Sequence, residues 1–179
     1  MSDWKLLNTS TASGASSVSF TDLTGYKIFK FVFIDVNPDT DNVHFEFNGS
    51  DDASSHTYDI TKTTTYFDAQ HKEDGNYGAL YYKSSHDLAQ STGYQPLAYE
   101  LGSDADQCLA GELHLFNPAS TTYVKHFYYV SNYSQNTEYT LNPRVGGFFN
   151  TTSAITALDF RMNSGNFDGV IKQYGLVES

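Results

Sequence analysis

The feature that most constrains this chain is a period-two alternation of aromatic and β-branched residues, interrupted about every 8–12 residues by clusters of Gly, Asn, Asp and Ser. Successive side chains on a strand point to opposite faces, so this pattern suits strands with one face buried. Residues 26–36, Tyr-Lys-Ile-Phe-Lys-Phe-Val-Phe-Ile-Asp-Val, form the strongest such segment. Apolar residues on both of its faces mark it as a central strand. Residues 43–47 put Val43, Phe45 and Phe47 on one face and His44 and Glu46 on the other. With the turn at 37–42 between them, these two segments are expected to pair as an antiparallel hairpin. Residues 123–130 set Val124, His126, Tyr128 and Val130 against Tyr123, Lys125, Phe127 and Tyr129. Shorter strands are expected at 4–7, 18–20, 56–60, 64–67, 78–83, 112–116, 146–149, 154–162 and 167–176. Residues 9–17, rich in Ser, Thr, Ala and Gly, read as a loop or extended arm. Residues 87–102 fit one short helix or the long connection of a Greek key. No linker or tandem repeat is visible. The pattern predicts an all-β fold, a jelly-roll-like antiparallel β-sandwich forming a single domain over 18–179, preceded by an N-terminal strand or arm at 1–17.

Composition supplies the core and removes several partners. Sixteen per cent of the residues are aromatic, with 14 Tyr and 13 Phe against 2 Met. Each ring can bury roughly 150–250 Å². The 10 Lys and Arg are outnumbered by 21 Asp and Glu, for a formal net charge of −11. Binding to nucleic acid rests on cations that neutralise phosphates, and binding to an anionic membrane surface rests on similar clusters. Neither partner is expected. Residues 1–5 carry no signal-peptide pattern, and no stretch reaches the roughly 20 apolar residues of a membrane helix. Cys108 is the one cysteine, so no disulfide can form within the chain. Its neighbours Asp104 and Asp106 disfavour the thiolate a nucleophile needs.

Catalytic patterns are missing from the sequence. It has no Gly-rich phosphate loop, Gly-x-Ser-x-Gly elbow or His-Glu-x-x-His. The six histidines, at 44, 56, 71, 86, 114 and 126, lack metal-ligand spacing. Glycoside hydrolysis needs two carboxylates across a cleft, and Glu46, Glu100, Glu112 and Asp159 are the possible members. The acidic loop at 35–42 offers oxygens to calcium, yet it lacks the Gly and Glu of an EF-hand, and Asp and Asn are ordinary turn formers. The turn reading is preferred there. Exposed Tyr could stack on sugars, although in long alternating strands Tyr is more often core or interface. No catalytic, cofactor or metal residue is assigned, and no cofactor is expected.

The final third runs Gly111-Glu-Leu-His-Leu-Phe-Asn-Pro118, Thr121-Thr-Tyr-Val-Lys125, Ala154-Ile-Thr-Ala-Leu-Asp-Phe160, Asn163-Ser-Gly-Asn-Phe-Asp-Gly169 and Gln173-Tyr-Gly-Leu176. This ending, with the opening Trp4-Lys-Leu-Leu7 and Val18-Ser-Phe20, resembles small virion structural proteins of tailed phages that infect cyanobacteria and other aquatic bacteria. The resemblance covers both ends and is weak over 50–105. It implies a non-enzymatic virion protein, first a capsid decoration or cement protein that stabilises the head by packing between subunits. The alternative is a tail, baseplate or fibre protein that binds a host-surface receptor or glycan. The implied partners are other virion proteins, a major capsid or tail protein, and further copies of the chain, with a trimer preferred. Assembly would take place in the host cytoplasm and the protein would reside in the virion. Trp4, Leu6 and Leu7 are the expected interface anchors, since aromatic and large apolar side chains dominate such contacts. The turn at 163–166 is expected to close a hairpin, Gly169 to allow a bulge or close approach, and Gly175 to let the chain leave the sheet.

Overall fold

The computed structural model describes residues 3–177. Met1, Ser2, Glu178 and Ser179, at the ends of the two expected segments, lie outside the described residues. The described chain forms twelve strands: β1 (Trp4–Ala15), β2 (Ser17–Phe20), β3 (Ile28–Pro38), β4 (Val43–Ser50), β5 (Lys62–Lys72), β6 (Gly78–Tyr82), β7 (Gln95–Leu101), β8 (Leu109–Phe116), β9 (Lys125–Ser134), β10 (Tyr139–Phe149), β11 (Ala157–Met162) and β12 (Phe167–Leu176). They pair antiparallel in an eight-stranded sheet, ordered β1-β12-β3-β8-β9-β10-β5-β6, and a four-stranded sheet, ordered β2-β11-β4-β7.

The strand order is that of a jelly roll with two insertions. The units β1-β12-β3-β8 and β2-β11-β4-β7 face each other, and the chain alternates between them as it runs. The hairpin β5–β6 is inserted between β4 and β7, and the hairpin β9–β10 between β8 and β11. Both insertions extend the first unit, which grows from four strands to eight. The all-β sandwich that the alternation predicts is therefore what the chain forms.

Several local expectations are corrected. β3 and β4 are not hairpin partners: β3 bonds to β12 and β8, whereas β4 bonds to β11 and β7. They face each other across the core instead, with the Phe33 and Phe45 rings 5.4 Å apart. Alternation reports which side of a strand is apolar, and it is silent on whether the apolar partner lies beside it or across from it. For the same reason the 163–166 turn is a corner between sheets, joining β11 to β12, rather than a hairpin. Residues 56–60 are irregular, and 87–102 contain strand β7 and no helix. The expected arm at 9–17 is mostly strand, because β1 pairs with β12 from Trp4 to Ala15 with register breaks near Leu7 and beyond Ala12.

The first half of β10 escapes the pattern because of Pro143, which has no N–H to give a ladder. The β9–β10 pairing lapses between Leu141 and Arg144. Side-chain amides replace the lost bonds: Asn142 Nδ2 donates to the Ser131 carbonyl, and Asn132 Nδ2 to that of Leu141 at 3.1 Å. Gly169 holds φ +137°, and a Cβ there would meet the Asp35 carbonyl at 2.9 Å. β12 and β3 bulge together at that point. Gly175 remains within β12, and its role is space, since a Cβ would sit 2.4 Å from the Tyr26 ring.

The two halves of the core differ. Beneath the jelly-roll unit the rings are Phe: Phe160 on β11 has Phe20, Phe31, Phe33, Phe45 and Phe47 within 5.1–6.2 Å between centroids. Beneath the inserted hairpins Phe127 and Phe149 are joined by Tyr66, Tyr99, Tyr129 and Tyr133, all buried. Tyr133 OH donates to the Tyr99 carbonyl (2.8 Å), and Tyr99 OH to buried Asp68 Oδ2 (2.9 Å). Buried phenols need such partners, which pin the short sheet's edge strand β7 onto the extension.

Candidate functional site

The antiparallel register arranges the outer face of the large sheet in rows, because directly opposed residues share a face. One row runs Leu6, Tyr174, Lys30, His114, Tyr128, Gly146, Thr65 from β1 to β5. The next runs Thr9, Lys172, Val32, Glu112, Val130, Arg144, Phe67, Tyr82 from β1 to β6. A flanking row places Trp4 opposite Leu176, Ile28 opposite Phe116, and Phe148 between His126 and Thr63.

Contacts within the rows are aromatic and cationic. Lys30 Nζ lies 4.4 Å from the Trp4 ring centroid and 5.5 Å from that of Tyr174. Trp4 meets the His114 ring edge-on at 5.7 Å, and His114 stacks on Tyr128 at 4.6 Å. His114 Nε2 is 3.0 Å from Glu112 Oε1. Large apolar side chains stay open to solvent along this face: Leu80 is 72% exposed, Tyr82 58%, Leu6 49%, Tyr128 43% and Phe67 40%. Within the two long rows Lys30, Lys172 and Arg144 stand against Glu112 alone. In a chain of net charge −11 the acidic groups are therefore concentrated elsewhere. Exposed apolar side chains gathered on one face are the feature that contact surfaces share.

The outer face of the small sheet is the opposite case. Asp159 on β11 and Glu46 on β4 sit diagonally on adjacent strands, since Asp159 opposes Asn48 and Glu46 opposes Arg161. Both carboxyls are buried, and burial raises the pKa of each. Each is also engaged. Asp159 accepts from Ser19 Oγ (2.6 Å) and Tyr94 OH (3.1 Å), and Glu46 from Arg161 Nε (2.9 Å). The Arg161 guanidinium lies 3.6 Å over the Tyr94 ring.

The connections 51–61 and 83–94 close over the end of this layer. Asn48 Nδ2 donates to the carbonyls of Tyr58 (2.6 Å) and Thr92 (2.9 Å). Buried Lys62 donates to those of Ile60 (3.1 Å) and Gly93 (2.6 Å). Burial brings the Lys62 amine down to about 7. The His44 and His86 rings are 5.5 Å apart, and burial lowers His86 to about 4. Cavities of about 470, 280 and 530 Å³ lie around residues 19–27, 53–56, 117–119, 154–156 and 173–177. Glu46 and Asp159 line none of these three.

Of the four carboxylates considered for glycoside chemistry, then, Glu46 and Asp159 come together on one face. Glu112 lies on the other sheet, and Glu100 on β7 accepts from Gln135 Nε2. Of the expected anchors, Trp4 and Leu6 share the open face, while Leu7 sits at the β1 bulge and packs on the core. The acidic loop ties chain segments together: Asp39 Oδ1 accepts from the Asn166 N–H (2.9 Å), which holds its pKa down, and Asn37 Nδ2 donates to the Gln107 carbonyl (2.6 Å). Among the described residues no group of three or more His, Cys, Asp or Glu is placed to hold a metal ion. Burial, and then Asp35, push the Cys108 thiol up. The residues that sequence reasoning passed over, Phe67, Leu80 and Tyr82, were readable as strand, but only pairing shows that they continue one face.

No known family model matches the chain. No curated protein matches it in sequence.

Proposed function

We propose that this chain is a non-enzymatic structural subunit of a tailed-phage virion. It packs through the outer face of its large sheet against neighbouring virion protein, first as a head decoration or cement protein. The observation that carries this reading is the open aromatic face from Leu6 to Tyr82. It runs across the eight-stranded sheet, is poor in carboxylate, and has the aromatic chemistry of a packing surface. The carboxylates that an enzyme would need are instead covered and engaged with Arg161, Tyr94 and Ser19. The resemblance of both chain ends to phage structural proteins supplies the particle.

Deleting residues 1–17 is a poor test, because β1 is a full strand of the sheet and Ala12 is in the core. The better variant is Leu6→Ser with Phe67→Ser, two exposed side chains at opposite ends of the face. In a competition with wild-type chain for incorporation into particles, its share is expected to fall about tenfold or more. Equal incorporation would remove the reading. Hydrolysis of a surface polysaccharide that is abolished by Glu46→Gln would replace it with an enzyme.

A further inference from the structure

The sandwich has four edge strands, and three of them carry devices that oppose pairing with another chain. β1 has register breaks and Lys5, β2 is four residues long, and β7 carries Pro96, Glu100 at φ +52° and two register shifts. β6 has no charge, no proline and an unbroken register with β5. Five large side chains that are more than a third exposed lie on or beside it: Phe67, Tyr77, Leu80, Tyr81 and Tyr82.

The bonding pattern says which β6 groups are open. The Lys83 N–H donates to the Tyr66 carbonyl and the Lys72 N–H to that of Tyr77, each at 2.9 Å. These bonds mark 66/83 and 72/77 as hydrogen-bonded pairs, and alternate residues of an antiparallel strand turn their backbone groups to the other side. Gly78, Leu80 and Tyr82 therefore present both N–H and C=O to the free edge.

We propose that two copies of the chain pair antiparallel along β6 about a two-fold axis at Leu80. Gly78 then meets Tyr82, Leu80 meets Leu80, and all three outward residues of each copy are bonded. No other antiparallel register engages all three. The two large sheets become one, with their aromatic faces on the same side. A second copy is the occupant because the match is self-complementary and because two acidic chains can approach closely where neither carries charge. The flanks agree in sign: Lys83 of one copy falls opposite Tyr77 of the other, beside the Glu73-Asp74 turn.

The proposal deepens the packing reading above, but its readout is self-association of the purified chain rather than incorporation into particles, so either can fail alone. Sedimentation velocity from about 1 to 100 μM is expected to show a monomer–dimer equilibrium. Leu80→Pro removes an N–H that bonds nothing within the chain, at an edge position where sheets accept proline. Leu80→Lys sets two like charges against each other. Each is expected to weaken the dimer about tenfold or more, while Tyr123→Ser, which changes an exposed residue off this edge, leaves it unchanged. A monomer at every concentration, a trimer, or a dimer indifferent to both Leu80 variants overturns the proposal.

Discussion

The two outer faces of this sandwich are built from the same alternating strands and end in opposite states. On the large sheet the outward positions include Trp4, Leu6, Phe67, Leu80, Tyr82 and Tyr128, which remain open, among a few cations. On the small sheet they hold Asp159, Glu46, Asn48 and Arg161, and two connections fold over the end of that layer. The expected chemistry is thus inverted: the polar face is covered and the apolar face is bare. Covering polar groups is tolerable only when each finds a partner. Leaving an apolar face bare is tolerable when another surface comes to cover it. The large face is accordingly the proposed contact surface, and the small face holds loops.

That contrast can be broken by substitution. On the covered face the largest loss is expected from Asn48→Ala, which strips two loop carbonyls of their donor. It should cost about 1–3 kcal/mol in denaturant-midpoint measurements and leave self-association unchanged. A second effect on this face comes from pH. His86 falls from 6.5 to about 4 in the folded chain, so between those values the unfolded chain binds the extra proton. Its contribution to stability is full above pH 6.5 and is lost as the pH falls toward 4. A thermal-melt series should show a steeper acid loss for the wild type than for His86→Phe. On the open face the smallest stability change is expected. Tyr128→Ser should stay within about 0.5 kcal/mol in the same measurements, yet lower incorporation into particles. A Tyr128 variant that unfolds, or an Asn48 variant that is stable but fails to associate, would merge the two faces into one.

Much of the fold is legible in the sequence. The alternation at 123–130 separates Phe127 and Tyr129 from Tyr128, and the structure turns the first two inward and the third outward. Partnership is not legible, since β3 and β4 read as neighbours and stand across the core. Pro143 hides half of β10, because the amides that compensate for it, Asn142 and Asn132, are visible only once β9 is beside it. The open face is partly legible. Trp4 and Leu6 announce themselves, but the row that joins Leu6 to Tyr128 and the row that ends at Tyr82 exist only through the register of the sheet. The convergence of Glu46 and Asp159 depends in the same way on the pairing of β4 with β11.

The account rests on the outer face of the large sheet being covered by protein in the assembled particle. Oxidative footprinting of free chain and particle-bound chain, read residue by residue, tests this directly. The expected result is strong protection of Leu6, Phe67, Tyr128 and Tyr82 on assembly, with Tyr94 over the covered small-sheet layer unchanged. Equal labelling of those four residues in both states would contradict it.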